Sequence, residues 1–173
     1  MFDTSLILLV IILSSANATV PVNIRATIIV INLFLSCNLN AVEKGKWTFF
    51  LEDNYCYIAS APTKEEGDYT KRGDTYVLVY RINKSPDKIV QVTAGYNYDE
   101  SKSVIVKIDQ TTFDFFGKDD TAWTKDKDNE VTFAMKKGTT MIIHGYSSRG
   151  TLTTDTYTLK GFTAAFNKLS KDC

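Results

Sequence analysis

A chain of 173 residues with 44% apolar and 12% aromatic side chains is sized for one ordinary domain with its own core, and is too apolar to stay unfolded. Its 20 basic and 20 acidic residues cancel, which argues against a nucleic-acid binder held by surplus positive charge. One His and three Cys leave little room for a zinc site, and no metal or other cofactor is expected.

Charge is absent from the amino-terminal part except for Asp3 and Arg25 within residues 1–41. Two apolar runs, Leu6–Leu13 and Ala26–Leu35, each supply roughly half of the ~20 residues a membrane-spanning helix needs. Each matches the apolar region of a secretory signal peptide. Residues 1–41 are therefore read as a signal-peptide region and 42–173 as a single mature domain with no integral span. Ala16-Asn17-Ala18 forms a small-x-small cleavage site, but the run before it lacks a basic residue. Arg25 precedes the second run, which ends at Leu39-Asn40-Ala41, so cleavage there is preferred, with residues 1–20 an extension ahead of the true start near Val20 or Val22. Lipid attachment at Cys37, within Phe34-Leu35-Ser36-Cys37, and an uncleaved anchor over 26–36 are the competing readings. Removal of 1–41 leaves Cys56 and Cys173, and an even count in an exported chain reads as one disulfide, with two separate thiols as the alternative.

From Trp47 onward the apolar pattern has a period of two, the mark of half-buried strands. Tyr76–Ile82 is a nearly unbroken apolar run suited to a central strand. Ile89–Tyr98 and Ser103–Ile108 are expected to form a hairpin through Asp99-Glu100-Ser101-Lys102. Thr112–Phe116, Thr140–Tyr146 and Thr151–Leu159 follow, punctuated by Gly73, Gly117, Gly138, Gly145 and Gly150. Residues 129–138 carry Glu130 early, Lys136 and Lys137 late and a closing Gly, which predicts a short helix near 129–137. The alternation Val131/Phe133/Met135 suits a strand equally well. Phe162, Ala165, Phe166 and Leu169 recur at helical spacing, and Cys173 continues their stripe, where Cys56 can meet it. The fold class is mainly β: an antiparallel β-sandwich or partly open barrel with a carboxyl-terminal amphipathic helix.

Candidate chemistry is sparse. His144 sits on an alternating strand without a nucleophile elbow nearby, and reads as a strand residue making ordinary hydrogen bonds. Asp126, Asp128 and Glu130 have the spacing of a calcium loop, but Val131 stands where a glycine is needed. The pairs Glu65/Glu66 and Asp119/Asp120 lack an apolar surround that would raise one carboxyl. Tyrosines at alternate positions, Tyr96 with Tyr98 or Tyr55 with Tyr57, read mostly as core packing and otherwise as a binding surface. No catalytic residue is assigned.

Several motifs carry a family resemblance. Trp47, Cys56-Tyr57-Ile58-Ala59-Ser60-x-Pro62 and Arg72-Gly73-Asp74-x-Tyr76 are followed by Gly95-Tyr96, Phe113-x-x-Phe116 and Ala122-Trp123. The carboxyl end, Ser148-Arg149-Gly150-Thr151-x-Thr153-Thr154-Asp155-Thr156-Tyr157 through Gly161-Phe162 to Cys173, is the most specific stretch. Together, over about residues 45–173, they resemble the invasion-associated locus B (IalB) family. The resemblance implies an exported protein of Gram-negative, mainly alphaproteobacterial cells, periplasmic, secreted or outer-membrane-associated, in a family named for host-cell invasion and without established catalytic or cofactor residues. Some members have a second Cys near the position of Phe50; its absence here leaves Cys173 to pair with Cys56. Arg149-Gly150 suits a tight turn, and Asp155 is expected to pair with Arg149 across it as a structural contact. The expected function is non-enzymatic contact with an unidentified protein or envelope component, and the alternative is an enzyme or enzyme inhibitor directed at envelope polymers.

Overall fold

The computed structural model describes residues 42–82 and 85–173. The signal-peptide region, its cleavage sites and Cys37 lie outside the described residues. These described residues form one compact unit. Ten strands follow in order: β1 (Thr48–Leu51), β2 (Tyr55–Ser60), β3 (Lys64–Gly67), β4 (Tyr76–Ile82), β5 (Ile89–Thr93), β6 (Ser103–Ile108), β7 (Thr111–Lys118), β8 (Thr121–Trp123), β9 (Thr140–Tyr146) and β10 (Leu152–Thr158). Helix α1 (Asp128–Lys137) lies between β8 and β9, and helix α2 (Phe162–Asp172) follows β10.

All ten strands belong to one antiparallel sheet in the order β1-β2-β4-β5-β8-β7-β6-β9-β10-β3. The chain itself curls that sheet. β2 lies one strand from one edge and β3 is the opposite edge, yet only residues 61–63 separate them. Thr63 N–H donates to the Thr156 carbonyl at 2.8 Å, and the Trp47 indole donates to the Thr158 carbonyl at 2.9 Å, which brings the two edges together. The result is a half-barrel, the partly open member of the two expected architectures. Its concave face is filled by alternate residues of each strand, among them Ile58, Val79, Val90, Phe115, Ile143 and Tyr157.

Both helices appear where the periodicity placed them. In α1, Val131 and Met135 are buried while Phe133 is 58% exposed, so helical spacing decides between the two readings of this segment. The helix begins at Asp128, one residue ahead of Asn129, with Val131 N–H donating to the Lys127 carbonyl at 2.9 Å, and the Asp128 carboxylate accepts from Val90 N–H at 2.7 Å and from the Thr124 hydroxyl at 3.1 Å. In α2, Phe162, Ala165 and Leu169 face the core, Phe162 meets Trp47 edge-on at 4.9 Å, and the disulfide from Cys173 to Cys56 is formed.

The hairpin expected between Ile89–Tyr98 and Ser103–Ile108 is not there. β5 ends at Thr93 and pairs with β4 and β8, whereas β6 pairs with β7 and β9. Gly95, at φ +70°, is the cause: the chain leaves the sheet there and swings Tyr96 and Tyr98 inward. The short strand β8 takes the vacated place beside β5.

Candidate functional site

Arg72 organises the end of the half-barrel away from the helices. It lies in the loop between β3 and β4, and its side chain is 4% exposed. Nη1 and Nη2 donate to the two carboxylate oxygens of Asp155 at 2.6 Å each, and Nε donates to the Ala94 carbonyl at 2.6 Å. The guanidinium centre also sits 5.0 Å from the Tyr96 ring and 5.5 Å from the Tyr69 ring, within cation–π range. Burial disfavours the Arg72 cation, but the bonds to Asp155 outweigh it and hold the guanidinium above the usual arginine value. The same burial pushes the Asp155 carboxyl up, against the pull of Arg72. A planar fork meeting a carboxylate with both donors is the geometry in which a buried pair is firmly held.

Asp155 thus pairs with Arg72 and not with Arg149. Alternation along β10 sends Thr153, Asp155 and Tyr157 to the concave face, whereas Arg149 stands in the exposed turn closed by Gly150 N–H on the Ser147 carbonyl at 2.8 Å. Of the two readings of the Tyr96/Tyr98 pair, core packing holds and the binding surface does not. Tyr98 is 4% exposed and cannot form a binding surface, and Tyr96 is half-buried with its hydroxyl 2.7 Å from the Thr153 hydroxyl. Space for these rings comes from glycines: a Cβ at Gly117 would lie 2.7 Å from Tyr98, and one at Gly145 would lie 2.6 Å from the Tyr96 hydroxyl. Gly73 N–H donates to the Gly95 carbonyl at 2.9 Å, and a Cβ on Gly95 would come within 2.4 Å of the Gly73 oxygen. The scattered Arg72-Gly73, Gly95-Tyr96 and Thr153-x-Asp155 motifs are therefore parts of one packed cluster. Above it opens a polar cleft of about 440 Å³, built from loops at Asp68–Arg72, Tyr96–Asn97 and Ser147–Thr151.

A second concavity of about 720 Å³ lies on the convex face, over β2 and β4. Its walls are Tyr55, Tyr57, Tyr76 and Tyr80, and Ala59 and Leu78 form its floor. Cross-strand register builds it: Phe50, Tyr57 and Tyr80 form one row, and Ala59, Leu78 and Gln91 the next. Phe50 stacks on Tyr57 at 4.8 Å, which steadies that wall. Among the described residues no Asp, Glu, His, Lys or Arg lines the groove. Burial pushes the Tyr57 and Tyr80 hydroxyls up, so both are protonated donors at neutral pH. The run Tyr76–Ile82 carried a signal for this face: a sheet exposed on one side normally alternates apolar with polar, and here the outward positions are Tyr76, Leu78, Tyr80 and Ile82.

The other candidates are occupied by structure. His144 Nδ1 lies 2.9 Å from the Thr154 hydroxyl on the neighbouring strand. Asp128 is engaged at the start of α1, away from any calcium-loop role. Glu65 lies 3.8 Å from Arg72, while Glu66 reaches outward to Lys64 at 2.8 Å. Among the described residues no three His, Cys, Asp or Glu side chains converge to hold a metal ion.

A family model described as invasion associated locus B (IalB) protein matches residues 39–170. The chain belongs to that family. Its fold is similar to the crystal structure of invasion associated protein B from Bartonella henselae, at 16% identity and a TM-score of 0.49, covering 73% of this chain and 92% of that one. No curated protein matches the chain. Within this IalB domain the Arg72-Gly73, Gly95-Tyr96 and Thr153-x-Asp155 motifs gather at the Arg72 cluster, whereas in the groove Tyr57, Ala59 and Tyr76 belong to the resemblance motifs and Tyr55, Leu78 and Tyr80 do not.

Proposed function

We propose that this IalB domain is an exported, non-enzymatic component of the bacterial envelope that works by holding a protein or envelope partner in the tyrosine groove. The observation that carries the reading is the groove's lining: large, open and apolar, with phenol hydroxyls and the amides of Asn54 and Gln91 as its polar side-chain groups. Such a lining presents no nucleophile activated by a base and no carboxylate pair, yet it supplies the broad aromatic contact on which binding surfaces depend. The Cys56–Cys173 disulfide supports residence in an oxidising compartment, the periplasm or the cell exterior. The described helices include none long and apolar enough to cross a membrane. The invasion association in the family's name fits a domain displayed outside the cytoplasm.

A photo-crosslinking side chain placed at Tyr80 in intact cells tests this. Adducts are expected from the envelope fraction, in excess over those from the exposed control position Lys107. Equal yields at both positions, or recovery of the protein reduced in the cytoplasm, would refute the reading.

A further inference from the structure

The polar cleft above Arg72 shares no lining residue with the tyrosine groove, and its chemistry is of a different kind. Three segments distant in sequence meet there, and backbone bonds lock them together. Ser148 N–H donates to the Asn97 carbonyl at 2.7 Å, Ser147 N–H to the Thr151 carbonyl at 2.9 Å, and Gly73 N–H to the Gly95 carbonyl at 2.9 Å. Thr151 N–H adds a bond to the Ser147 hydroxyl at 3.1 Å. The Arg72–Asp155 fork fixes the floor. A site held this way loses little freedom when something binds to it.

What the cleft offers is specific. Tyr69 is 36% exposed at its rim. Asn97, Ser148 and Thr151 present amide and hydroxyl groups that both donate and accept. Lys71 and Arg149 are exposed at the cleft and make no ion pair among the described residues, in contrast to the fully engaged Arg72. Asp68 is the carboxylate in the lining, an acceptor for ligand hydroxyls. A ligand complementary to this set carries many hydroxyls, an apolar ring face and a negative charge.

We infer that this cleft is a binding site for an acidic oligosaccharide. The sugar ring lies against Tyr69, its hydroxyls exchange hydrogen bonds with Asn97, Ser148 and Thr151, and its carboxylate meets Arg149 and Lys71. The bidentate fork of Arg149 supplies the discrimination between a carboxylated sugar and a neutral one. This site is independent of the proposed groove: loss of one leaves the other unchanged.

Calorimetric titration of the disulfide-bonded protein with cellobiouronic acid, cellobiose and inorganic phosphate tests the assignment. The two disaccharides share a skeleton and differ by one carboxylate. Cellobiouronic acid is expected to bind at least about tenfold more tightly than cellobiose or phosphate, a difference of about 1.4 kcal/mol. Arg149→Gln should erase that preference, and Tyr69→Ala should weaken both sugars. Each variant's urea midpoint reports whether the fold is intact. No binding of cellobiouronic acid at millimolar concentration, phosphate binding as tightly as the sugar, or a preference that survives Arg149→Gln would each overturn the inference.

Discussion

Replacing Cys173 with Ser removes the link between β2 and the end of α2, and the consequence can be worked out from the chain path. The disulfide spans 117 residues of sequence. In the chain-entropy description, closing a loop of that length removes about 16 cal/mol/K from the denatured ensemble, or about 4.9 kcal/mol at 25 °C. That is a large share of the roughly 5–15 kcal/mol by which domains are stable. The native contacts of α2 do not depend on the bond: Phe162 and Leu169 are fully buried, Trp47 packs edge-on against Phe162, and the Arg81 guanidinium donates to the Ser170 carbonyl at 3.3 Å. The variant should therefore fold with the helix docked but unfold much earlier. With a urea dependence of about 1–3 kcal/mol/M, the midpoint should fall by about 2–5 M, and the dependence itself should steepen because the denatured chain expands. Reduction of the unmutated protein should reproduce the shift. A loss below about 1 kcal/mol would refute the reasoning, because it would mean that the denatured chain is not restrained by this link.

Four further outcomes are expected. Asp155→Ala takes the bidentate partner from the buried Arg72 guanidinium, leaving the Ala94 carbonyl, the Tyr69 and Tyr96 side chains and the more distant Glu65, and should cost about 3–5 kcal/mol in urea unfolding, whereas Arg72→Met with Asp155→Leu should recover most of it. The Tyr157 hydroxyl is buried and has no hydrogen-bond partner among the described residues, so Tyr157→Phe should leave the thermal midpoint unchanged or raise it. Tyr96→Phe, which deletes the 2.7 Å bond to Thr153, should cost about 0.5–1.5 kcal/mol. Burial holds the Tyr98 and Tyr157 phenols protonated well past their ordinary value, whereas the unfolded chain releases those protons near pH 10. Because the folded state then binds more protons than the unfolded one, the contribution of these two groups to stability is constant below about pH 10 and falls as pH rises above it. Phenolate absorbance should show these two groups ionising only as the protein unfolds. Their titration in the folded state near pH 10 would contradict the burial.

Local pattern determined much of this molecule. The two-residue period read out strands, the stripe Phe162/Ala165/Leu169 read out α2, and cysteine arithmetic together with that stripe placed Cys173 beside Cys56. These features were legible because each depends on neighbours in sequence, or on a parity that survives any arrangement of strands. Partnership across the sheet is another matter. Proximity in sequence matches Asp155 to Arg149, but its side chain points into the half-barrel and meets Arg72, 83 residues earlier in the chain. Periodicity along Ile89–Tyr98 continued through Gly95, but a positive φ at that glycine turned Tyr96 and Tyr98 into the interior. The groove depended on the same kind of information: Tyr57 and Tyr80 become opposite neighbours only through the β2–β4 register. A sequence carries which face each residue takes; which distant residue it meets there follows from sheet order and curl, and those are set by the packing of the whole chain.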